Sequence, residues 1–214
     1  MTDTISFYTN PFSRGRIAHW MLEEVGAPYH VELLDFERNE HKRPEYLAIN
    51  PMGKVPAIVH RGVVVTEAAA ICAYLADAFP SAKLAPLPSD PARGTYLRWL
   101  FFAAGCIEPA ATDKQSPRAN AVRSSALGYG TYEDVMNGIE QALRPGPYVL
   151  GDRFSAADVY LGSQLAWGLM VKSIEPRPLF SEYVASLGKR PAYARFMEKS
   201  KELETALATR QGKV

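Results

Sequence analysis

The sequence is poor in the features that mark several classes of protein. It holds only two cysteines, Cys72 and Cys106. Two thiols cannot build a disulfide framework or a four-ligand zinc site. It has no excess of one charge, with 24 basic residues against 23 acidic ones. That balance argues against nucleic-acid binding, which needs a concentrated basic face. Its longest apolar run, Ala68 to Ala76, has nine residues. A membrane-spanning helix needs about eighteen or more, so none is expected. The opening Met-Thr-Asp-Thr carries neither a basic start nor a signal-type apolar core. A soluble, cytoplasmic protein is the expectation. What the chain does have is ordinary core-forming material, 47% hydrophobic residues in 214. A chain of that size buries about 70% of the surface it exposes when unfolded. It makes one large domain or two small ones.

The first eighty residues alternate strand and helix signals. Ile5, Phe7 and Thr9 alternate with Ser6, Tyr8 and Asn10, a short strand pattern. Pro11-Phe12-Ser13 breaks it. Ile17, Met21 and Val25 then share one helix face with Ala18 and Leu22, and Gly26 with Pro28 ends that helix. Tyr29, Val31 and Leu33 give a second strand, and Glu37 to Arg43 a loop or irregular helix. Pro44 to Ile49 gives one or two helical turns. Val55–Val59 and Val63–Val65 flank His60-Arg61-Gly62 and are expected to pair as an antiparallel hairpin. Thr66 is a fair N-cap for a helix running to Phe79, which Pro80 stops. The expected order is β-α-β-α-β-β-α over residues 1–80.

Residues 81–90, with Pro86 and Pro88, read as a stiff linker. Strand signals vanish beyond it. Asp90-Pro91 pairs an N-cap with a proline at the first helical position. Further helices are expected over roughly 120–143, 155–171, 177–187 and 191–206, so 91–214 reads as an all-helical domain. Ser155 and Asp158 sit at capping-box spacing. Gly162 and Gly168 are costly inside that helix, and close packing is the usual reason.

Two segments sharpen this outline. One is Asn50-Pro51-Met52-Gly53-Lys54-Val55-Pro56-Ala57-Ile58, followed by Thr66-Glu67-Ala68-Ala69-Ala70-Ile71. The other is Gly151-Asp152-Arg153-Phe154-Ser155-Ala156-Ala157-Asp158. With them the chain resembles the cytosolic glutathione transferases over nearly its whole length, closest in motif to theta-like and bacterial members of the serine type. The resemblance implies a thioredoxin-like first domain, an all-helical second domain and a homodimer. It implies glutathione as co-substrate, an apolar electrophile as second substrate, and no metal.

The resemblance also implies a cis Val55–Pro56 bond that turns Val55's backbone N–H and C=O outward. They would pair with the cysteinyl backbone of glutathione as a one-rung strand addition. A helix N-terminus is a natural carboxylate site. The N–H of Ala68 would therefore take the γ-glutamyl carboxylate, and Glu67 the ammonium. Serine is usual at position 68 in the family, and Ala68 lacks its hydroxyl. His41, Lys42 and Lys54 match the cations that grip the glycyl carboxylate; taken alone they would be a solvated charge cluster.

Glutathione chemistry needs a thiolate. A thiol of pKa about 8.5 is only about 3% ionised at pH 7. One hydroxyl donating to the sulfur for about 1.5–3 kcal/mol lowers that pKa by about one to two units. The donor must lie between the first strand and the first helix, in Asn10-Pro11-Phe12-Ser13-Arg14-Gly15-Arg16. Ser13 is the first expectation and the amide of Asn10 the second, with Tyr8 and Thr9 set aside as strand residues. The bland reading of Ser13 is a helix cap. Arg14 and Arg16 either add positive potential there or are surface charge. Phe12 is the expected pocket residue, and Cys106 either lines the electrophile pocket or is structural. A non-catalytic binding or regulatory protein, and a glutathione-dependent isomerase or dehalogenase, are the alternative functions.

Overall fold

A computed structural model describes residues 3–117 and 122–213. The chain divides into two compact units, Met1–Ala82 with Arg190–Val214, and Lys83–Lys189. The expected second domain of 91–214 therefore loses its last helix, which packs with the first unit.

The first unit is built on a four-stranded sheet of order β2-β1-β3-β4. Its strands are β1 (Ile5–Thr9), β2 (Tyr29–Leu33), β3 (Ala57–His60) and β4 (Val63–Thr66). β2 runs parallel to β1, which requires a crossover, and helix α1 (Gly15–Val25) supplies it. β3 and β4 are antiparallel to their neighbours. Ile5, Phe7 and Thr9 of β1 are buried, as the alternation requires. α1 ends at Gly26 in the left-handed conformation, with its N–H on Leu22. A 3₁₀ turn (Glu40–Lys42) and helix α2 (Pro44–Leu47) precede β3, and helix α3 (Ala68–Ala78) follows β4.

Three local expectations are corrected. β3 starts at Ala57, not Val55, because Val55–Pro56 is a cis bond and Pro56 has no N–H for the ladder. The hairpin turn has two residues, since His60 pairs with Val63. Arg61 and Gly62 have φ of 52° and 80°, the two left-handed positions of a type I′ turn. Thr66 stays in β4 opposite Ala57, and Glu67 takes the N-cap position of α3.

Helix α9 (Pro191–Arg210) completes this unit by packing against α1. α1 therefore buries more than the single apolar face its sequence shows, and His19, Trp20 and Glu23 are buried as well. Glu23 accepts from Lys199 at 2.6 Å and Arg195 at 3.1 Å, and Glu24 holds Arg190 through two 2.7 Å bonds.

The second unit is helical. α4 (Ala92–Phe102) runs through a π-helical stretch, Ala103–Ile107, into α5 (Glu108–Gln115); α6 (Tyr132–Leu143), α7 (Ala156–Met170) and α8 (Pro178–Leu187) follow. Asp90 caps α4 by accepting from Ala92 N at 2.8 Å. The helix expected from about 120 begins only at Tyr132, and residues 120 and 121 lie outside the described residues. The Ser155–Asp158 capping box forms at the start of α7. Buried Asp158 also accepts from Val149 N and the Tyr183 hydroxyl, each at 2.9 Å. A Cβ at Gly168 would lie 2.5 Å from Ile174, so the absence of a side chain there admits Ile174.

Candidate active site

The sheet register gathers the expected site at one end. Tyr8 pairs with Ala57, Ala57 with Thr66, and Thr9 with Leu33. The loop leaving β1 (Asn10 to Ser13), the Val55–Pro56 entry to β3 and the Glu67–Ala68 exit from β4 therefore share one edge. Residues from three separate stretches of sequence are brought together by two antiparallel pairings.

The turn before β3 is held by side chains. Asn50 is buried, accepts from Met52 N at 3.1 Å, and donates to the Lys54 carbonyl at 2.8 Å. The Tyr46 hydroxyl donates to the same carbonyl. Both lie upstream of Val55 and fix the peptide that leads into the cis bond. Tyr46 was not among the sequence-derived site residues, and an aromatic in a one-turn helix gives no signal of that role. Gly53 has φ 58°, and a Cβ there would sit 2.7 Å from the His41 carbonyl. Glycine thus lets this turn close onto the segment carrying His41 and Lys42. Lys42 Nζ donates to the Met52 carbonyl at 2.9 Å.

The three expected cations are electrostatically coupled. His41 is held below the ordinary histidine pKa by burial first, then by the charges of Lys42 and Lys54. Its Nδ1 is buried and has no hydrogen-bond partner among the described residues. A carboxylate brought here would relieve the repulsion and favour the protonated ring.

Across the same end, Glu67 has φ 64° and ψ 119°, an unusual conformation for a residue with a side chain. Such residues cost about 1–3 kcal/mol and cluster at functional sites. The carboxylate of Glu67 is exposed, and the N–H groups of Ala68, Ala69 and Ala70 precede the first helical bond, Ile71 N to Glu67 O. α3 receives no side-chain cap. Its N-terminus offers unpaired donors and positive potential beside an exposed acid.

The loop after β1 is internally bonded. Ser13 Oγ donates to the Asn10 carbonyl at 2.6 Å and accepts from Gly15 N at 3.0 Å. Asn10 is buried; its amide donates to the Leu34 carbonyl at 2.8 Å and accepts from Phe12 N at 2.9 Å. One N–H of that amide remains beyond the Leu34 bond. Thr9 is buried against Gly15, where a Cβ would meet its Oγ1 at 1.9 Å. The Tyr8 ring lies 5.6 Å from Tyr46, and burial pushes its phenol up. Arg16 turns to α9, donating to Ser200 at 2.8 Å and Glu204 at 3.2 Å. Its charge is thereby matched away from the loop.

Phe12 is 63% exposed, an apolar side chain held out beside Asn10 in the first unit. Cys106 belongs to the second unit, half-buried in the π-helical stretch, and burial pushes its thiol up. Cys72 is fully buried in α3 with its thiol pushed up more strongly. Among the described residues, no group of three or more His, Cys, Asp or Glu could hold a metal ion. No helix among them is long and apolar enough to cross a membrane.

Comparison with known proteins places the chain in a family. Residues 4–77 match the family described as glutathione S-transferase, N-terminal domain, and residues 124–185 the corresponding C-terminal domain. Glutathione S-transferase 1 of Schizosaccharomyces pombe is 30% identical over 168 residues, 75% of this chain and 72% of that protein. A crystal structure of a glutathione transferase from Methylococcus capsulatus superimposes with TM-score 0.78 at 29% identity, covering 92% of this chain and 98% of the other. A Sulfitobacter glutathione transferase homologue with bound glutathione gives TM-score 0.73 at 27% identity, with 92% and 99% covered. The chain belongs to the glutathione S-transferase family.

Proposed function

We propose that this protein binds glutathione along the shared sheet end, ionises its thiol and transfers the tripeptide to an apolar electrophile. The γ-glutamyl carboxylate sits on the α3 N-terminus at Ala68, and the exposed acid of Glu67 takes the ammonium. Val55's N–H and C=O pair with the cysteinyl backbone. His41, Lys42 and Lys54 hold the glycyl carboxylate. The carrying observation is the register that sets Val55–Pro56 beside Glu67–Ala68. An extended tripeptide with a zwitterion at one end and a carboxylate at the other matches the order of groups offered.

Ser13 is the first donor to the sulfur and Asn10 the second. The thiolate attacks the electrophilic carbon, the carbon–sulfur bond forms, and the leaving group departs with the electron pair. The thiol proton goes to solvent. The protein contributes pKa lowering and positioning. Phe12 is the first unit's apolar contact for the electrophile, and Cys106 is the second unit's candidate residue for the same substrate. A homodimer and a cytoplasmic location complete the proposal.

Ala68 and the internal bond of Ser13 favour a second reading, a binder without turnover. Retention on immobilised glutathione followed by conjugation of a reactive aryl halide separates the two. Retention with conjugation is expected, and retention alone supports the binder. Failure to bind glutathione at millimolar concentration overturns both.

A further inference from the structure

We infer that Arg210, in the last turn of α9, is a positioning residue for the glycyl carboxylate of glutathione. This role rests on the binding reading above and concerns a residue outside the candidate site. Arg210 Nη2 donates to both carboxylate oxygens of Glu40, at 2.8 and 2.9 Å. Its Nη1 donates to the Leu33 carbonyl at 2.8 Å. One guanidinium therefore ties together both ends of the loop between β2 and the Glu40–Lys42 turn.

Each end of that loop leads directly to a site residue. Glu40 is buried, accepts from Asp35 N at 2.8 Å, and is the residue before His41 and Lys42. Leu33 precedes Leu34, whose carbonyl holds Asn10. The residues after Arg210 reinforce the clamp: Gln211 donates to Asp35 at 2.9 Å, and Lys213 to Glu37. Arg38 returns a bond to the Arg210 carbonyl.

The clamp acts through charge as well as shape. Without Arg210, the buried acid of Glu40 would keep its bond from Asp35 N and, among the described cations, only the longer contact with Arg43, at 3.6 Å. A carboxylate left uncompensated beside His41 and Lys42 competes with the ligand's carboxylate for the same cations. A planar guanidinium, with one nitrogen on Glu40 and the other on the Leu33 carbonyl, serves this purpose better than a lysine, which is a point charge.

The test compares two ligands on the intact protein. Glutathione and γ-glutamylcysteine share everything except the glycyl residue. For Arg210→Gln, calorimetry should give about tenfold weaker binding of glutathione, the scale of one lost carboxylate contact. The affinity for γ-glutamylcysteine should change less than about twofold. In turnover, KM for glutathione should rise while kcat at saturation holds. Arg210→Lys keeps the charge and the fold and should fall between wild type and Arg210→Gln. Arg190→Gln, which breaks the bidentate pair with Glu24, is the control for loss of α9 packing. It should lower Tm without separating the two ligands. Equal weakening of both ligands by Arg210→Gln, or no weakening of either, overturns the inference while leaving glutathione binding intact. A wild-type protein that binds neither ligand overturns the binding reading and this role with it.

Discussion

Replacing Ser13 by Ala isolates the source of thiol activation, and the structure fixes how large the effect should be. The Ser13 hydroxyl already donates to the Asn10 carbonyl at 2.6 Å. Turning to a bound sulfur means giving that bond up. A hydrogen bond to a charged acceptor is worth about 1.5–3 kcal/mol and a neutral one about 0.5–1.5, so the net gain is about 1–1.5. That corresponds to roughly one pKa unit, taking the bound thiol from about 8.5 to about 7.5. At pH 7 about a quarter of it would be ionised, against about 3% in Ser13→Ala. The variant should therefore conjugate about eightfold more slowly at pH 7, and the deficit should vanish above about pH 9.5. Titration of the thiolate absorbance of the complex reads the pKa directly, and the pH profile of kcat/KM provides the second reading. The lost acceptor for Gly15 N also weakens the helix start by about 1 kcal/mol, which thermal unfolding measures separately. An unchanged bound-thiol pKa would remove Ser13 from the mechanism, and the same titration on Asn10→Ala then tests the amide.

Gly15→Ala should destabilise the protein by about 1–3 kcal/mol in denaturant unfolding. The added carbon lands on Thr9 Oγ1, so Thr9→Ala in the same chain should recover most of the loss. If the double variant is as unstable as the single one, the clash is not the cause. His41 has a depressed pKa in the free protein, and a bound carboxylate raises it, so binding between its free and bound pKa values should take up a proton. Calorimetry of S-methylglutathione in buffers of different ionisation heat measures this uptake, which His41→Gln should abolish. His19 is held at about 4, chiefly by burial. Its neutral form is the stable one, so stability should be intact above about pH 6.5 and fall by about 3 kcal/mol as pH drops to about 4. His19→Gln should flatten that part of the stability profile, and an equally steep profile would assign the acid sensitivity elsewhere.

Short-range features were legible from residues a few positions apart. The alternation of β1, the apolar face and glycine stop of α1, and the Ser155–Asp158 box are each patterns contained in one element. The motif segments gave the family, and with it the cis Val55–Pro56 bond and the group of His41, Lys42 and Lys54. Ser13 was legible as the hydroxyl of the loop after β1. Its bond to the Asn10 carbonyl was not, because that depends on how the loop folds back.

Residue order alone determined most of the strand and helix segments, because periodicity and capping act over one or two turns of chain. Only the tertiary structure decided where α9 belongs. Its sequence shows a charged helix after other helices, yet Arg190, Arg195, Lys199 and Arg210 meet Glu24, Glu23 and Glu40 in the first unit. Those partners lie more than 160 residues away along the chain, with |i−j| from 166 to 176. No local pattern specifies which acid a distant arginine will reach. That pairing, like the register that sets Pro56 beside Glu67, exists only once the sheet and the helices covering it have closed around a common core.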